Sequence, residues 1–241
     1  MLADNSINDI DIKKVYADKW SRSSEFFYQR GYYQRFAKPL EERNLILEIG
    51  CGCGFSTLSL AECGHNILAV DNNTHCIDLA SELIFNKGFN DRVGFLEMDV
   101  TNSQAFEELA EGYKYDAVVC WNIGTVYDKN IKVADNISEE ENRRIIVEEY
   151  RLKVLAYSCA LAQYKEVPFQ IVDRTEQKLN DSELDYYRKI GKNFGYNQID
   201  YSYFEGESLS SDGVALMTNG VINDAPVVPL VFNIVNMNSN I

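Results

Sequence analysis

The chain alternates short apolar runs with longer stretches whose apolar residues recur every three or four positions. Leu45-Ile-Leu-Glu-Ile49, Asn66-Ile-Leu-Ala-Val70, Val93 to Met98, Asp116 to Trp121 and Val167 to Val172 each read as a buried strand. Between the first two, Phe55–Glu62 reads as a short helix closing at Cys63-Gly64, where glycine suits the left-handed position after a helix end. Ser138-Glu-Glu-Glu141 gives a capping box for a long helix running to about Lys165, with Ile145, Leu152, Leu155, Ala156, Cys159 and Ala162 as its apolar stripe. Asp181 to Phe194 reads as a further helix ended by Gly195. Tyr196–Phe204 and Val227–Val235 read as the last two strands. The linker between them, Glu205–Pro226, is long for a hairpin, so it is expected to reach over a site or to mediate association. Strands alternating with helices predict a mostly parallel sheet with helices on both faces. Ligands of such sheets gather at the carboxyl ends of the strands.

The first strand runs directly into Gly50, Gly52 and Gly54, at alternate positions, before the helix at Phe55. Strand, tight turn and helix start make a place where backbone N–H groups can face a ligand. The spacing narrows the choice. A dinucleotide fingerprint beginning at Gly50 needs glycine at 55, where Phe55 stands. A Walker A loop needs Gly-Lys-Ser/Thr, but Gly54 is followed by Phe55-Ser56. What remains is Glu-x-Gly-x-Gly-x-Gly, Glu48 to Gly54. The second strand ends at Asp71, the third at Asp99-Val100 and the fourth at Trp121-Asn122. A carboxylate at a strand tip can accept two hydrogen bonds from vicinal hydroxyls. Each feature alone is also explained by packing or helix capping; their coincidence at strand ends is what points to a ligand.

The segment 45–121, about a third of the chain, resembles the cofactor half of class I S-adenosylmethionine-dependent methyltransferases. The resemblance implies a Rossmann-like, seven-stranded, mostly parallel sheet with an antiparallel last strand, forming one domain over 1–241 with residues 1–44 as an N-terminal helical lid. It implies that Glu48, Gly50, Cys51, Gly52 and Gly54 surround the methionine part of the cofactor, Glu48 near its ammonium. Asp71 is expected to hold the ribose, Asn72 to lie near the adenine edge with Asn73, and Asp99 and Val100 to meet the adenine. Trp121 and Asn122 are expected to border the methyl group. The implied cofactor is S-adenosyl-L-methionine, with S-adenosyl-L-homocysteine as product and no metal.

Composition bounds the rest. With 241 residues and 46% hydrophobic content, the chain fits one α/β domain with a sizeable core. It shows no apolar run long enough to span a bilayer, and its polar, acidic start lacks a secretory leader pattern, which predicts a cytoplasmic protein. The six cysteines form no Cys-x-x-Cys pair, so neither zinc nor a disulfide framework is expected. The net charge of −14 repels phosphate backbones and argues against nucleic acid as partner. The charge is uneven: residues 1–44 carry +1 and the remainder −15.

Residues 14–39 are dense in aromatics, among them Tyr16, Trp20, Phe26, Phe27, Tyr32, Tyr33 and Phe36. Most are expected to pack on the sheet, with Tyr16 and Trp20 reaching the pocket. After the fourth strand, Trp121-Asn122-Ile-Gly-Thr-Val-Tyr127 lacks the paired prolines found in methyltransferases that act on amino groups of nucleic-acid bases. The weak catalytic candidates are therefore Asn122, Trp121 and Tyr16, with Asn122 either an acceptor-orienting amide or a turn residue. Neither His65 nor His75 is placed as a general base. A small organic acceptor is the expectation. RNA or protein acceptors, and a cofactor-binding protein without transfer, are the alternatives; the oligomeric state is left open.

Overall fold

A computed structural model gives the architecture of residues 12–124, 133, 137–209 and 227–238. Leu45–Ile49 forms β1, an inner strand of the sheet. Leu47 and Ile49 face one buried layer and Ile46 the other, so both faces of the strand are covered. The remaining strands are β2 (Asn66–Asp71), β3 (Val93–Glu97), β4 (Ala117–Trp121), β5 (Phe169–Thr175), β6 (Gln198–Leu209) and β7 (Val227–Asn238). Among the described residues they form one seven-stranded sheet in the order β3-β2-β1-β4-β5-β7-β6. β1 to β5 pair in parallel, whereas β7 runs antiparallel to both β5 and β6. The strand order reverses between β1 and β4, and that is where such sheets open a crevice.

One face carries α1 (Ile12–Gln29), α2 (Tyr32–Ala37), α3 (Phe55–Glu62) and α4 (Thr74–Lys87); the other carries α5 (Ser103–Gly112), α6 (Glu139–Tyr164) and α7 (Asp181–Asn193). Capping fixes several starts. The Asn73 side chain accepts from His75 N–H, Asn102 from Gln104 N–H, and Ser138 from Glu141 N–H. Asn180 and Glu183 make a reciprocal capping box at α7. The N-terminal aromatics form the core under α1 and α2. Phe27 is fully buried, 5.3 Å from the Phe232 ring and 6.3 Å from that of Tyr33.

Three sequence expectations shift. β6 runs on to Leu209, because Glu205–Leu209 pairs with Val227–Val231 as the outer arm of the hairpin, so the first residues of the expected linker are strand. α6 buries Val154, Leu155, Ser158, Cys159, Leu161 and Ala162, while Ile145, Leu152 and Ala156 are only half-buried. Apart from Asn142, the side chains α6 buries lie in its second half, whereas Glu148, Tyr150 and Arg151 of its first half border the clefts described below. β5 extends past Val172 to Thr175, where Asp173 and Arg174 pair with Asn233 and Phe232. The expectations for the rest of the linker, 210–226, and for Tyr127 fall outside the described residues. No described helix is long and apolar enough to cross a membrane.

Candidate functional site

The turn after β1 is built on left-handed glycines. Gly50 has φ 76° and Gly52 φ 52°, a region that side chains with a Cβ enter only under strain. A Cβ at Gly50 would collide with Ile123, and one at Gly52 with the Trp20 indole. Both glycines line a cleft of about 240 Å³ at the carboxyl ends of β1, β2 and β4. Opposite them stand Tyr16 and Trp20 of α1, and Asp71, Asn72 and Asn122 complete the wall. Gly54 sits below this cleft, where a Cβ would meet Ala80 Cα at 2.8 Å; it admits α4. Cys51 is buried with the core cluster and its thiol is pushed up by burial.

The turn differs from expectation in one respect. The Gly50 and Cys51 N–H groups donate to Val70 O (2.7 and 3.1 Å), Gly52 N–H to Asp71 Oδ2 (2.9 Å) and Gly54 N–H to Cys51 O (3.1 Å). These amides are spent inside the protein. The missing Cβ atoms let Ile123 and the Trp20 indole pack against the turn, so the glycines shape the cleft wall rather than supply donors.

Asp71 closes the tip of β2. Its Oδ1 accepts from Asn73 N–H and its Oδ2 from Gly52 N–H, each at 2.9 Å. Burial raises its pKa, and those main-chain donors oppose the rise. A carboxylate oxygen has two lone-pair sites, so each keeps one for a ligand hydroxyl. Glu48 lies beneath the loop, facing α3, where Thr57 Oγ1 donates to its Oε2 at 2.6 Å. Burial lifts its pKa to about 7 against the Ser56 and Thr57 hydrogen bonds, and Oε1 has no partner. Glu48 therefore backs the loop and does not line the cleft among the residues found there.

A narrow slot continues from the cleft between β2 and β3. Ile49, Val70, Met98, Val100, Ile123 and Val154 make it apolar, with Asn72 and Tyr150 at its polar edge. Tyr150 was not anticipated, because α6 lies 50 residues beyond β3 in sequence. Asn72 Nδ2 donates to Tyr150 Oη (2.7 Å) and that hydroxyl donates to Asp99 Oδ1 (3.3 Å). Asp99 also accepts from the Thr101 N–H and hydroxyl at 3.0 and 2.8 Å. Asp99 is thus tied to the slot through Tyr150 and Asn72, but unlike Asp71 and Val100 it is not itself among the lining residues, so the expected direct adenine contact by Asp99 is not reproduced. Trp121 does not border the cleft either. Strand alternation sets it with Ala117 and Val119, stacked near Tyr33, its Nε1 donating to Gln170 Oε1 at 2.6 Å.

Asn122 follows β4 with φ 53° and is 5% exposed. Its Oδ1 and Nδ2 both lack a hydrogen-bond partner, and it lines both the 240 Å³ cleft and a second one of about 550 Å³. The second cleft is walled by α6, α7 and the tip of β5. There Asp173 Oδ2 accepts from Arg151 Nη1 (2.9 Å) and from the Tyr187 hydroxyl. Arg174 of the second cleft stacks at 4.9 Å on the ring of Trp20, which lines the first. Asp173 and Arg174 escaped the sequence reading because strand five was ended at Val172. Applying the strand-tip rule one residue further would have found them.

Residues 46–139 match the family model described as a methyltransferase domain. No curated protein matches the chain. Among solved structures it is similar to EvdMO1, at 16% identity over 86% of this chain and 40% of that one, with a TM-score of 0.52. It is similar to a SAM-dependent methyltransferase from Agrobacterium tumefaciens, at 12% identity over 88% and 62%, with a TM-score of 0.54. It is also similar to the structure described under conversion of a disulfide bond into a thioacetal group during echinomycin biosynthesis, at 13% identity over 87% and 81%, with a TM-score of 0.52. The chain spans 40% of the length of EvdMO1 and 62% of the Agrobacterium protein. At these identities the likeness is one of fold.

Proposed function

We propose that this chain is a class I methyltransferase that moves a methyl group from S-adenosylmethionine to a small-molecule acceptor, a reading supported by the methyltransferase-domain match over residues 46–139 and by the fold. The observation that carries the reading is the pair of clefts meeting at Asn122, one at the switch point of the sheet and one beside it.

The residues fit the donor. Asp71 keeps lone pairs for ribose hydroxyls, and the apolar slot beside it, about 40 Å³ with Asn72 at its edge, marks the side on which the adenine would lie once the slot widens. The cleft beside Gly50 and Gly52, walled by Tyr16, Trp20 and Asn122, is where the methionine portion would lie. When bound, the sulfonium supplies an electrophilic methyl carbon. What the chain contributes is alignment, worth roughly 7–11 kcal/mol in well-oriented intramolecular reactions. The second cleft, at about 550 Å³, is of the size that holds a small organic molecule.

The acceptor class is tested by transfer of radiolabelled methyl groups into fractionated cell extract. We expect label in the small-molecule fraction. Label confined to RNA or to protein would contradict this reading, in which the net charge of −14 repels polyanions.

A further inference from the structure

Resting on that reading, we propose that the acceptor is a small amine and that Asn122 is the residue that orients its nitrogen. Asn122 is a buried amide with neither polar atom satisfied, held in a left-handed conformation at the junction of both clefts. Buried polar groups are normally hydrogen-bonded, and one left without partners costs stability. Which end is oxygen and which nitrogen does not matter here, since both lack partners. An amine N–H donating to Oδ1 would hold the nitrogen while its lone pair stays available for attack.

The second cleft favours an amine over other nucleophiles. A hydroxyl needs a base, and the carboxylates that line the cleft are already engaged. Glu148 accepts from Arg151 at 2.9 and 3.0 Å, and this pairing lowers its pKa. Asp173 accepts from Arg151 and Tyr187. Glu183 accepts from Asn180 N–H at 2.8 Å in the α7 cap. Burial and the Asp173 charge push the Tyr187 phenol up, so it keeps its proton. Among the described residues, no histidine or lysine lines the cleft. Among the described lining residues, three carboxylates against the two guanidiniums of Arg151 and Arg174 also favour a cation over an anion on approach. An amine needs no protein base once its ammonium form has released a proton to water. Its lone pair then forms the C–N bond as the C–S bond breaks; the bonding pair stays on sulfur, and the methylated ammonium gives its proton to water.

The test uses primary and secondary amines alongside alcohols, phenols and carboxylic acids of the same carbon skeletons, with labelled S-adenosylmethionine. It compares wild type with Asn122→Gly and Asn122→Asp. Glycine suits the φ of 53° and removes the unsatisfied amide; aspartate keeps an acceptor oxygen. We expect label in amines. We expect Asn122→Gly to lower kcat/KM by about 10²-fold and Asn122→Asp to lose less. We also expect Asn122→Gly to melt at or above the wild-type temperature and to keep the melting shift produced by S-adenosylhomocysteine. Label in alcohols or acids instead of amines, undiminished turnover by Asn122→Gly, or a lower melting temperature for that variant would each overturn the assignment. Absence of any S-adenosylhomocysteine shift in wild type would instead overturn the donor reading beneath it.

Discussion

Glu48 shows how a single residue couples the loop to pH. Its carboxyl is buried against α3 with a pKa near 7, raised first by desolvation. The native state therefore holds a proton that the unfolded chain releases near its ordinary pKa of 4.5. Between those values the native state binds more protons, so stability falls as pH rises, and the loss is complete above about 7. Burial raises Asp71 in the same direction. Urea denaturation of the ligand-free protein between pH 5 and 8 should show this decline. Glu48→Gln should flatten it and gain about 1–3 kcal/mol at pH 8. An unchanged slope in that variant would show that Glu48 does not titrate there. At this scale the sequence was informative about identity more than environment. Asp71 and Asp99 could be placed because strand tips are marked by where apolar runs stop. Trp121 was misplaced because its position on β4 faces the helices, which the alternation with Ala117 and Val119 determines.

Among the elements, α1 has two jobs, and its residues divide between them. Phe27 anchors it to the sheet through Phe232 and Tyr33. Trp20 is half-buried and lies over Gly52 with Arg174 stacked on it. Phe27→Ala should therefore cost about 3–5 kcal/mol in chemical denaturation, the usual range for a buried phenylalanine. Trp20→Ala should cost less stability but weaken S-adenosylhomocysteine binding; equal effects of the two variants on binding and on stability would contradict this division. β1, α3 and β2 were legible nearly to the residue, since glycines punctuate them and each is local. α4 and α5 were not assigned in advance, although Asn73 and Asn102 cap them. β6 was ended early because the polar stretch Glu205-Gly-Glu-Ser208 becomes strand only by pairing with β7, which sequence-local patterning does not reveal.

Across the whole molecule, seven strands bring residues from β1, β2, β4, β5, α1 and α6 to one edge of the sheet. The class of fold was readable from alternation and from Glu48 to Gly54. The acceptor side was not, because Tyr150, Arg151, Asp173 and Tyr187 meet only after α6 folds back along β4 and β5. The central claim is that this edge cradles an adenosyl sulfonium donor, with Asp71 as its ribose anchor. Calorimetric titration of the wild type and Asp71→Ala with S-adenosylhomocysteine tests it most directly. The account predicts one binding event per chain for the wild type and affinity lowered at least about tenfold, or roughly 1.4 kcal/mol, by the substitution. No heat of binding to the wild type, or equal affinity for a correctly folded Asp71→Ala, would contradict it.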